Sequence, residues 1–314
     1  MFVGHAMLAF ALVGGGAALL RDREAGLKLG LVAAAFATVP DVDMVYALVG
    51  LASATGGVMG TVSSFWAAST AVHRTITHSL VVAPVAAALA AAWLHGRQTD
   101  ARGWLAVAAL LGAGLGVVAT VVSGALGGVV MAVFIVAAVA VAEGADRYAP
   151  ADSRATFAVA LVGLVSHPFG DLATGEPPAF LYPFSAPLVT ERVALSADPT
   201  LHLLGAFGVE LVAIWAGLLV AVYLLERSVR AAIDLRAVVG VGYALAALAI
   251  PAPTLEFSYP FVLSVLAVGM VGAVPRFRLL DARIERPGAV GAALTGLAAV
   301  TVAGIAYAAA YVSL

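Results

Sequence analysis

Long apolar stretches recur along the whole sequence, and they constrain the fold more strongly than any other feature. A transmembrane helix needs about 20 mostly apolar residues, and about ten segments meet or approach that length. These segments are residues 2–20, 27–51, 79–94, 104–121, 124–142, 156–174, 203–225, 237–252, 258–274 and 289–313. Charged residues make up only 11% of the chain, whereas soluble domains contain about 25%. We therefore predict an all-α fold, a polytopic transmembrane helix bundle of about 8–10 spans.

The rest of the composition excludes several kinds of site and partner. The chain has no cysteine, so disulfides and thiolate-bound metals are excluded, and any metal site must use nitrogen and oxygen ligands. The formal net charge is −2 and there is no basic run, which argues against nucleic acid as a partner. The partners that we expect are the lipid bilayer and a small-molecule or lipid substrate.

Arginine and lysine are distributed unevenly between the two sets of loops. If the N-terminus lies outside, fourteen of the sixteen Lys and Arg residues fall in inner loops, and only Arg74 and Arg192 lie outside. Short cytoplasmic loops are typically enriched in these residues. The asymmetry therefore predicts an integral protein of the cell (inner or plasma) membrane with its N-terminus outside.

Ionisable residues in or beside the spans fall largely in one layer. Such residues are costly at membrane depth and usually mark a functional site. In the orientation above, the outer layer contains His5, Asp41, Asp43, His73, His78, His167, Asp171, His202 and Glu210. Because the orientation is deduced from Lys and Arg alone, this convergence is partly independent evidence for a single site near the outer face.

The sequence HPFGD contains two of these residues. His167 and Asp171 are spaced i, i+4, which on a helix places both side chains on one face, about 5–6 Å apart. That spacing suits the binding of one cation, although a hydrogen-bonded pair between helices is an equally open reading. Pro168 disfavours an α conformation at the preceding residue, so we expect a weak point in the helix at His167.

The sequences PDVD and HRTITHS contain four more. Pro40 with Asp41 and Asp43 indicates a local break in a span, and irregular backbone at membrane depth needs a polar cavity to line. An offset of five residues between His73 and His78 does not align them on one helical face. Each motif alone has a structural alternative in helix capping, but four polar clusters on one side of a membrane favour a common site.

Taken together, these motifs resemble a known family. The elements are His5, PDVD at residues 40–43, HRTITHS at residues 73–79, HPFGDLAT at residues 167–174, and the loop GEPPAFLYPFSAP that follows. They are similar to those of the LexA-binding, inner-membrane-associated hydrolase family (YdjM-like), also described as membrane-bound metal-dependent hydrolases. The resemblance covers residues 1–215, and HRxxTHS is its most specific part. The family often has a histidine directly after PDxD, whereas this chain has Met44.

A second, looser resemblance is to zinc-dependent phospholipase C and related nucleases, in which a similar order of His and Asp residues binds a metal cluster in an all-helical fold. The His-x-x-x-Glu element expected near the end of that pattern is absent, because His202 and Glu210 are eight residues apart.

The resemblance implies an integral-membrane metal-dependent hydrolase, and we expect it to cleave a phosphoester or lipid-like substrate at the outer face. The expected metal ligands are His5, Asp41, Asp43, His78, His167 and Asp171. The expected catalytic residues are His73 as a general acid or base or a further ligand, Arg74 as the group that binds a substrate anion, and His78. Zinc suits histidine with carboxylate, and manganese or magnesium would suit the oxygen-rich subset.

Two other functions fit the same residues. An ion- or proton-coupled transporter would use them as a binding or relay site beside a broken helix. A structural or regulatory membrane protein would use them to staple its fold with a metal. On the leading hypothesis we expect residues 1–225 to form the membrane-embedded metal-dependent hydrolase core and residues 226–314 to be additional transmembrane helices of unknown role.

Overall fold

Helices dominate the fold. The computed structural model describes residues 2–52, 54–70, 74–149, 151–278 and 283–314. The α-helices are α1 (Phe2–Leu20), α2 (Arg23–Thr38), α3 (Ala47–Ala52), α4 (Gly57–Thr70), α5 (Val82–Thr99), α6 (Arg102–Tyr148), α7 (Ser153–Gly170), α8 (Pro199–Leu224), α9 (Val229–Ala232), α10 (Ala246–Ala249), α11 (Tyr259–Gly269) and α12 (Ala289–Ser313). The predicted all-α class is confirmed.

Shorter elements connect some of these helices. Segments of 3₁₀ helix cover Pro40–Tyr46, Ile76–His78, Leu235–Leu245 and Met270–Gly272. Strands β1 (Arg276–Arg278) and β2 (Arg283–Glu285) form a small antiparallel pair. The pair is a minor addition to the helical fold.

The number of described helices that meet a strict criterion for a membrane span is smaller than the number of spans that the sequence predicts. Among the described residues, four helices are long and apolar enough to cross a membrane, namely Val3–Leu20 within α1, and α6, α8 and α12. A fifth span results if α2 and Pro40–Ala52, which meet at a bend of 40°, are taken together. The other predicted segments are helical but shorter or more polar. The protein is therefore polytopic, as predicted.

Helix α6 is a helical hairpin. A straight helix of its 47 residues would be about 70 Å long, more than twice the hydrocarbon thickness of a bilayer. The helix breaks at Gly124, where φ is 72° and ψ is −171°, a conformation nearly confined to glycine. Gly128 lies against the side chain of Thr120, although a continuous helix would separate these residues by about 12 Å. The two halves correspond to the two spans predicted in this region.

The chain divides into two compact units. The first consists of Met1–Leu172 and Glu176–Arg192, and the second of Ala173–Gly175 and Val193–Leu314. This is a division by packing. The functional division that the sequence predicts, into residues 1–225 and 226–314, stays a prediction.

In the first unit, α2 packs against both α1 and α7, and α5 packs against α6 and α7. Phe36, Phe134 and Leu164 belong to its apolar core. Because successive helices alternate in direction, the start of α1, the end of α2, the start of α5, the tip of the α6 hairpin and the end of α7 lie together. We call this the His/Asp end, because it contains His5, Asp41, Asp43, His78, His167 and Asp171.

The second unit has an aromatic core. Phe207 of α8, Phe261 of α11 and Tyr307 of α12 pack together, with ring centroids 5.4 Å apart for Phe207 and Phe261 and 5.2 Å apart for Phe261 and Tyr307. Tyr243 completes this cluster, and its hydroxyl lies 2.6 Å from that of Ser264. These contacts fix α8, α11 and α12 to one another.

Candidate metal centre

Helix α7 places His167 in its last turn. The helix runs through Pro168 to Gly170, and Asp171 is its C-cap residue. The expected weak point at His167 is therefore not a helix boundary, although the helix ends within one turn of Pro168. The i, i+4 spacing of His167 and Asp171 is realised, with 3.8 Å between His167 Nε2 and Asp171 Oδ2.

A close approach of α2 and α7 orients the His167 ring. Gly163 lies one turn before His167, and a Cβ at that position would lie 2.7 Å from the carbonyl oxygen of Ala33 in α2. Since glycine leaves this space open, α7 lies directly on the backbone of α2. The Nδ1–H of His167 can then donate a hydrogen bond of 2.6 Å to the carbonyl oxygen of Ala37. Nε2, the other ring nitrogen, faces the side chains of His78 and Asp41.

The predicted break in the second span carries both aspartates. Helix α2 ends at Thr38, and a 3₁₀ helix with Asp41 and Asp43 in its first turn follows. Asp41 Oδ1 lies 3.4 Å from His167 Nε2. Asp43 is buried on another side of the 3₁₀ helix and accepts a hydrogen bond of 2.9 Å from the Thr77 hydroxyl.

The segment RTITHSL at residues 74–80 enters the site from the start of α5. Its backbone pairs with the loop after α7, through Ala179 N–H to Arg74 O at 3.0 Å and Leu80 N–H to Phe180 O at 2.8 Å. The Ser79 hydroxyl accepts a hydrogen bond from the N–H of Val82, the first residue of α5. His78 is 1% exposed. His73, the first histidine of the motif, lies outside the described residues.

Five predicted ligands converge in this place. Two groups of donor atoms each lie within 4.8 Å of one another, one formed by His5, Asp41 and His167 and the other by His78, His167 and Asp171. The closest pair is His78 Nε2 and His167 Nε2, at 3.0 Å. His5 Nε2 lies 3.4 Å from Asp171 Oδ1, and the His5 and His167 ring centroids are 3.9 Å apart.

The hydrogen bonds of the two central rings turn the Nε2 lone pairs of His78 and His167 toward each other. His167 Nδ1 faces a carbonyl oxygen, which only accepts, so this nitrogen carries the ring proton. His78 Nδ1 faces a threonine hydroxyl whose single hydrogen goes to Asp43, so this nitrogen is also a donor. In the neutral rings both Nε2 atoms therefore present lone pairs to one another, beside the carboxylates of Asp41 and Asp171. A proton or a metal ion between these acceptors would relieve their repulsion, and the convergent side chains could hold a metal ion.

Burial favours the form of His78 that binds metals. Loss of hydration in the interior lowers the pKa of His78 below its ordinary value. The neutral imidazole is the form whose lone pair coordinates a metal ion. The nitrogen and oxygen donors gathered here could therefore hold a metal ion.

Arg74 lies against the centre. Its guanidinium Nη2 is 3.2 Å from Asp171 Oδ1, and its Nη1 donates to the carbonyl oxygen of Glu176 at 3.3 Å. Its backbone φ is +65°, a left-handed conformation that is uncommon for a residue with a side chain. The arginine predicted to bind substrate thus contacts a carboxylate of the centre.

Other histidines are placed elsewhere. His202 and Glu210 belong to α8 in the second unit, where His202 Nδ1 accepts from the Leu195 N–H at 3.1 Å. His95 lies in α5 far from the centre and packs edge-on against Trp104 at 5.2 Å.

Sequence reasoning missed two residues that shape the centre, Thr77 and Gly163. The position of Gly163 four residues before His167 is the signal that could have identified it.

The comparisons with known proteins identify a family and no individual relative. The sequence model for the YdjM inner membrane protein family matches residues 1–250, farther than the stretch to residue 215 covered by the motif resemblance. No curated protein and no solved structure matches the chain. The match covers most of the sequence and includes every residue of the candidate centre. The chain therefore belongs to the YdjM inner membrane protein family and is an integral protein of the inner membrane.

Proposed function

We propose that the first unit is a metal-dependent hydrolase that cleaves a phosphoester in a lipid or another amphiphile. The observation that carries the proposal is the pair of facing Nε2 atoms of His78 and His167, 3.0 Å apart, with both Nδ1 atoms already committed as donors. A bound cation removes the repulsion between these two lone pairs. The proposed ligands are His5, Asp41, His78, His167 and Asp171, with zinc as the preferred ion.

The chemistry follows from the surroundings of the ligands. A divalent ion in such a site acidifies water and stabilises negative charge that develops on a phosphoryl oxygen. In hydrolysis, a water oxygen bonds to phosphorus and the bond from phosphorus to the leaving oxygen breaks. The water proton passes to a base of the site, and the leaving oxygen takes up a proton. His73, next to Arg74 in the sequence, stays the candidate for this proton transfer.

Arg74 is the proposed contact for substrate. Its guanidinium is 12% exposed and holds Asp171 in place through one nitrogen. A planar guanidinium has five N–H donors and binds phosphate well. We propose that this guanidinium binds an anionic oxygen of the substrate.

The proposed orientation places the centre on the outer side of the membrane. In the first unit, the ends of the helices opposite the His/Asp end carry Arg21, Arg23, Lys28, Arg97, Arg102, Arg147 and Arg154. Basic residues mark the cytoplasmic side. A centre at the other end would meet lipid headgroups and other amphiphiles of the outer leaflet.

Single cysteines would test this orientation, because the chain has none of its own. We expect a membrane-impermeant maleimide to label Ser185→Cys, in the loop near the His/Asp end, in cells whose inner membrane is intact. Thr99→Cys, at the far end of α5, should be labelled only after the membrane is opened. Both residues are exposed. The reverse labelling pattern would contradict the proposed orientation.

Phosphodiester turnover would test the activity. We expect the detergent-purified protein to hydrolyse p-nitrophenylphosphorylcholine, to lose this activity when a chelator removes the metal, and to regain it when zinc or manganese is returned. His78→Ala and Asp171→Asn should abolish turnover, because each removes a proposed ligand. His95→Ala is the matched control and should keep it.

Either of two results would contradict the hydrolase proposal. Bound metal without turnover of this or other phosphoesters would favour a metal-stapled structural protein. Proton or ion flux in liposomes that depends on Asp41 and Asp171, without hydrolysis, would favour a transporter.

A further inference from the structure

We propose that Asp43 and Thr77 form a relay that fixes the tautomer of His78, with Asp43 outside the metal coordination shell. This inference rests on the proposed metal centre and divides the two aspartates of PDVD between two roles. Asp41 binds the ion, and Asp43 orients a histidine that binds it.

The distances describe a chain of three side chains. Thr77 Oγ1 lies 2.9 Å from Asp43 Oδ2 and 2.9 Å from His78 Nδ1. Asp43 Oδ2 is 3.7 Å from His78 Nδ1, which is too long for a hydrogen bond. The threonine hydroxyl therefore bridges the carboxylate and the imidazole.

The number of available protons fixes the direction of the relay. A carboxylate only accepts hydrogen bonds, so the single hydroxyl hydrogen of Thr77 points to Asp43. The hydroxyl oxygen then accepts the Nδ1–H of His78. The lone pair of His78 must lie on Nε2, the nitrogen that faces His167 Nε2 and Asp171 Oδ2. The Ala37 carbonyl oxygen fixes the same tautomer in His167.

Burial makes the relay effective. Asp43 is 2% exposed, Thr77 3% and His78 1%, so water cannot readily replace the hydroxyl. A hydroxyl that donates to a carboxylate is a better acceptor, because successive hydrogen bonds polarise one another. The imidazole consequently becomes a more basic ligand, as it does in carboxylate–histidine–zinc arrangements.

The 3₁₀ geometry explains why the two aspartates separate. A 3₁₀ helix turns about 120° per residue, so residues at i and i+2 project about 120° apart. Asp41 therefore faces His167, and Asp43 faces Thr77. Among the described residues, neither group of potential metal ligands includes Asp43.

Zinc affinity of Thr77 variants tests the relay directly. The probe is Zn²⁺ alone, titrated into purified, metal-stripped protein in competition with a chromophoric chelator. We expect Thr77→Val to weaken zinc binding by about 10–100-fold, the usual effect of losing an outer-shell partner. Thr77→Ser should restore affinity to within about threefold, since it keeps the hydroxyl. Thr156→Val is the matched control, because Thr156 is also buried but bonds within its own helix at the other end of the unit.

A double-mutant cycle separates an orienting Asp43 from a ligating one. If Asp43 acts through Thr77, adding Asp43→Asn to Thr77→Val should weaken zinc binding little further. The cobalt-substituted protein should keep its visible absorption intensity in Asp43→Asn and change it in Asp41→Asn.

Three results would overturn the inference. Wild-type affinity in Thr77→Val, or additive losses with a changed cobalt spectrum in Asp43→Asn, would overturn the relay and leave the metal centre intact. Failure of the wild-type protein to bind zinc would overturn the proposed function and the relay with it.

Discussion

Replacing His167 by alanine is expected to abolish tight metal binding. His167 is the one residue shared by the two groups of potential ligands found among the described residues. It is also fully buried. We expect zinc affinity to fall by more than the roughly 100-fold upper range for outer-shell changes. Competition with a chromophoric chelator would measure the loss.

His95→Ala is the control for this variant. It makes the same chemical change in the same unit, but His95 contacts Trp104 and Ser153 far from the centre. Its zinc affinity should match that of the wild type. A His167→Ala protein that elutes as a folded particle and still binds zinc tightly would contradict the assignment of this centre.

Gly163→Ala is expected to destabilise the first unit and weaken the metal centre together. The new Cβ would lie 2.7 Å from Ala33 O and 2.9 Å from Phe36 Cβ. Both neighbours belong to α2 and have little freedom to move, so α2 and α7 must separate by a few tenths of an ångström. Overpacking of this kind costs about 1–3 kcal/mol. The separation also stretches the His167–Ala37 hydrogen bond that orients the ligand.

Thermal unfolding in detergent and zinc titration would measure both effects. Gly144→Ala in α6 is the matched control, because a Cβ there meets no described atom within 4 Å. Its stability should not fall and should rise by about 0.5–1 kcal/mol, because alanine favours a helix interior more than glycine does. Equal melting temperatures and zinc affinities for the two variants would show that α2 and α7 do not need this close contact.

Much of the fold follows from the sequence because apolar length is a strong signal. The segments on either side of Gly124 read as two spans, and the structure forms them as one hairpin. The number of helices that are long and apolar enough to cross a membrane is harder to predict. Helices α5 and α7 end in polar residues such as Arg97 and His167, which shorten their apolar stretches. Whether such a helix spans a membrane depends on its packing partners, which the sequence does not reveal.

The candidate site was predictable at the level of motifs. His5, Asp41, His78, His167 and Asp171 come together because alternating helices bring their ends to one side. The different environments of Asp41 and Asp43 depend on a 3₁₀ turn, which no periodicity in four residues can distinguish from an α turn. The contact of Thr77 with Asp43 joins positions 34 residues apart, so only the folded structure reveals it.

X-ray absorption of the wild-type protein at the metal edge, combined with its metal content, tests the central claim most directly. We expect at least one equivalent of zinc or manganese, bound by nitrogen and oxygen at about 2.0–2.2 Å with the scattering pattern of imidazole. His167→Ala should lose the metal and His95→Ala should keep it. Folded wild-type protein without stoichiometric metal, or with a spectrum that lacks imidazole ligands, would contradict the account.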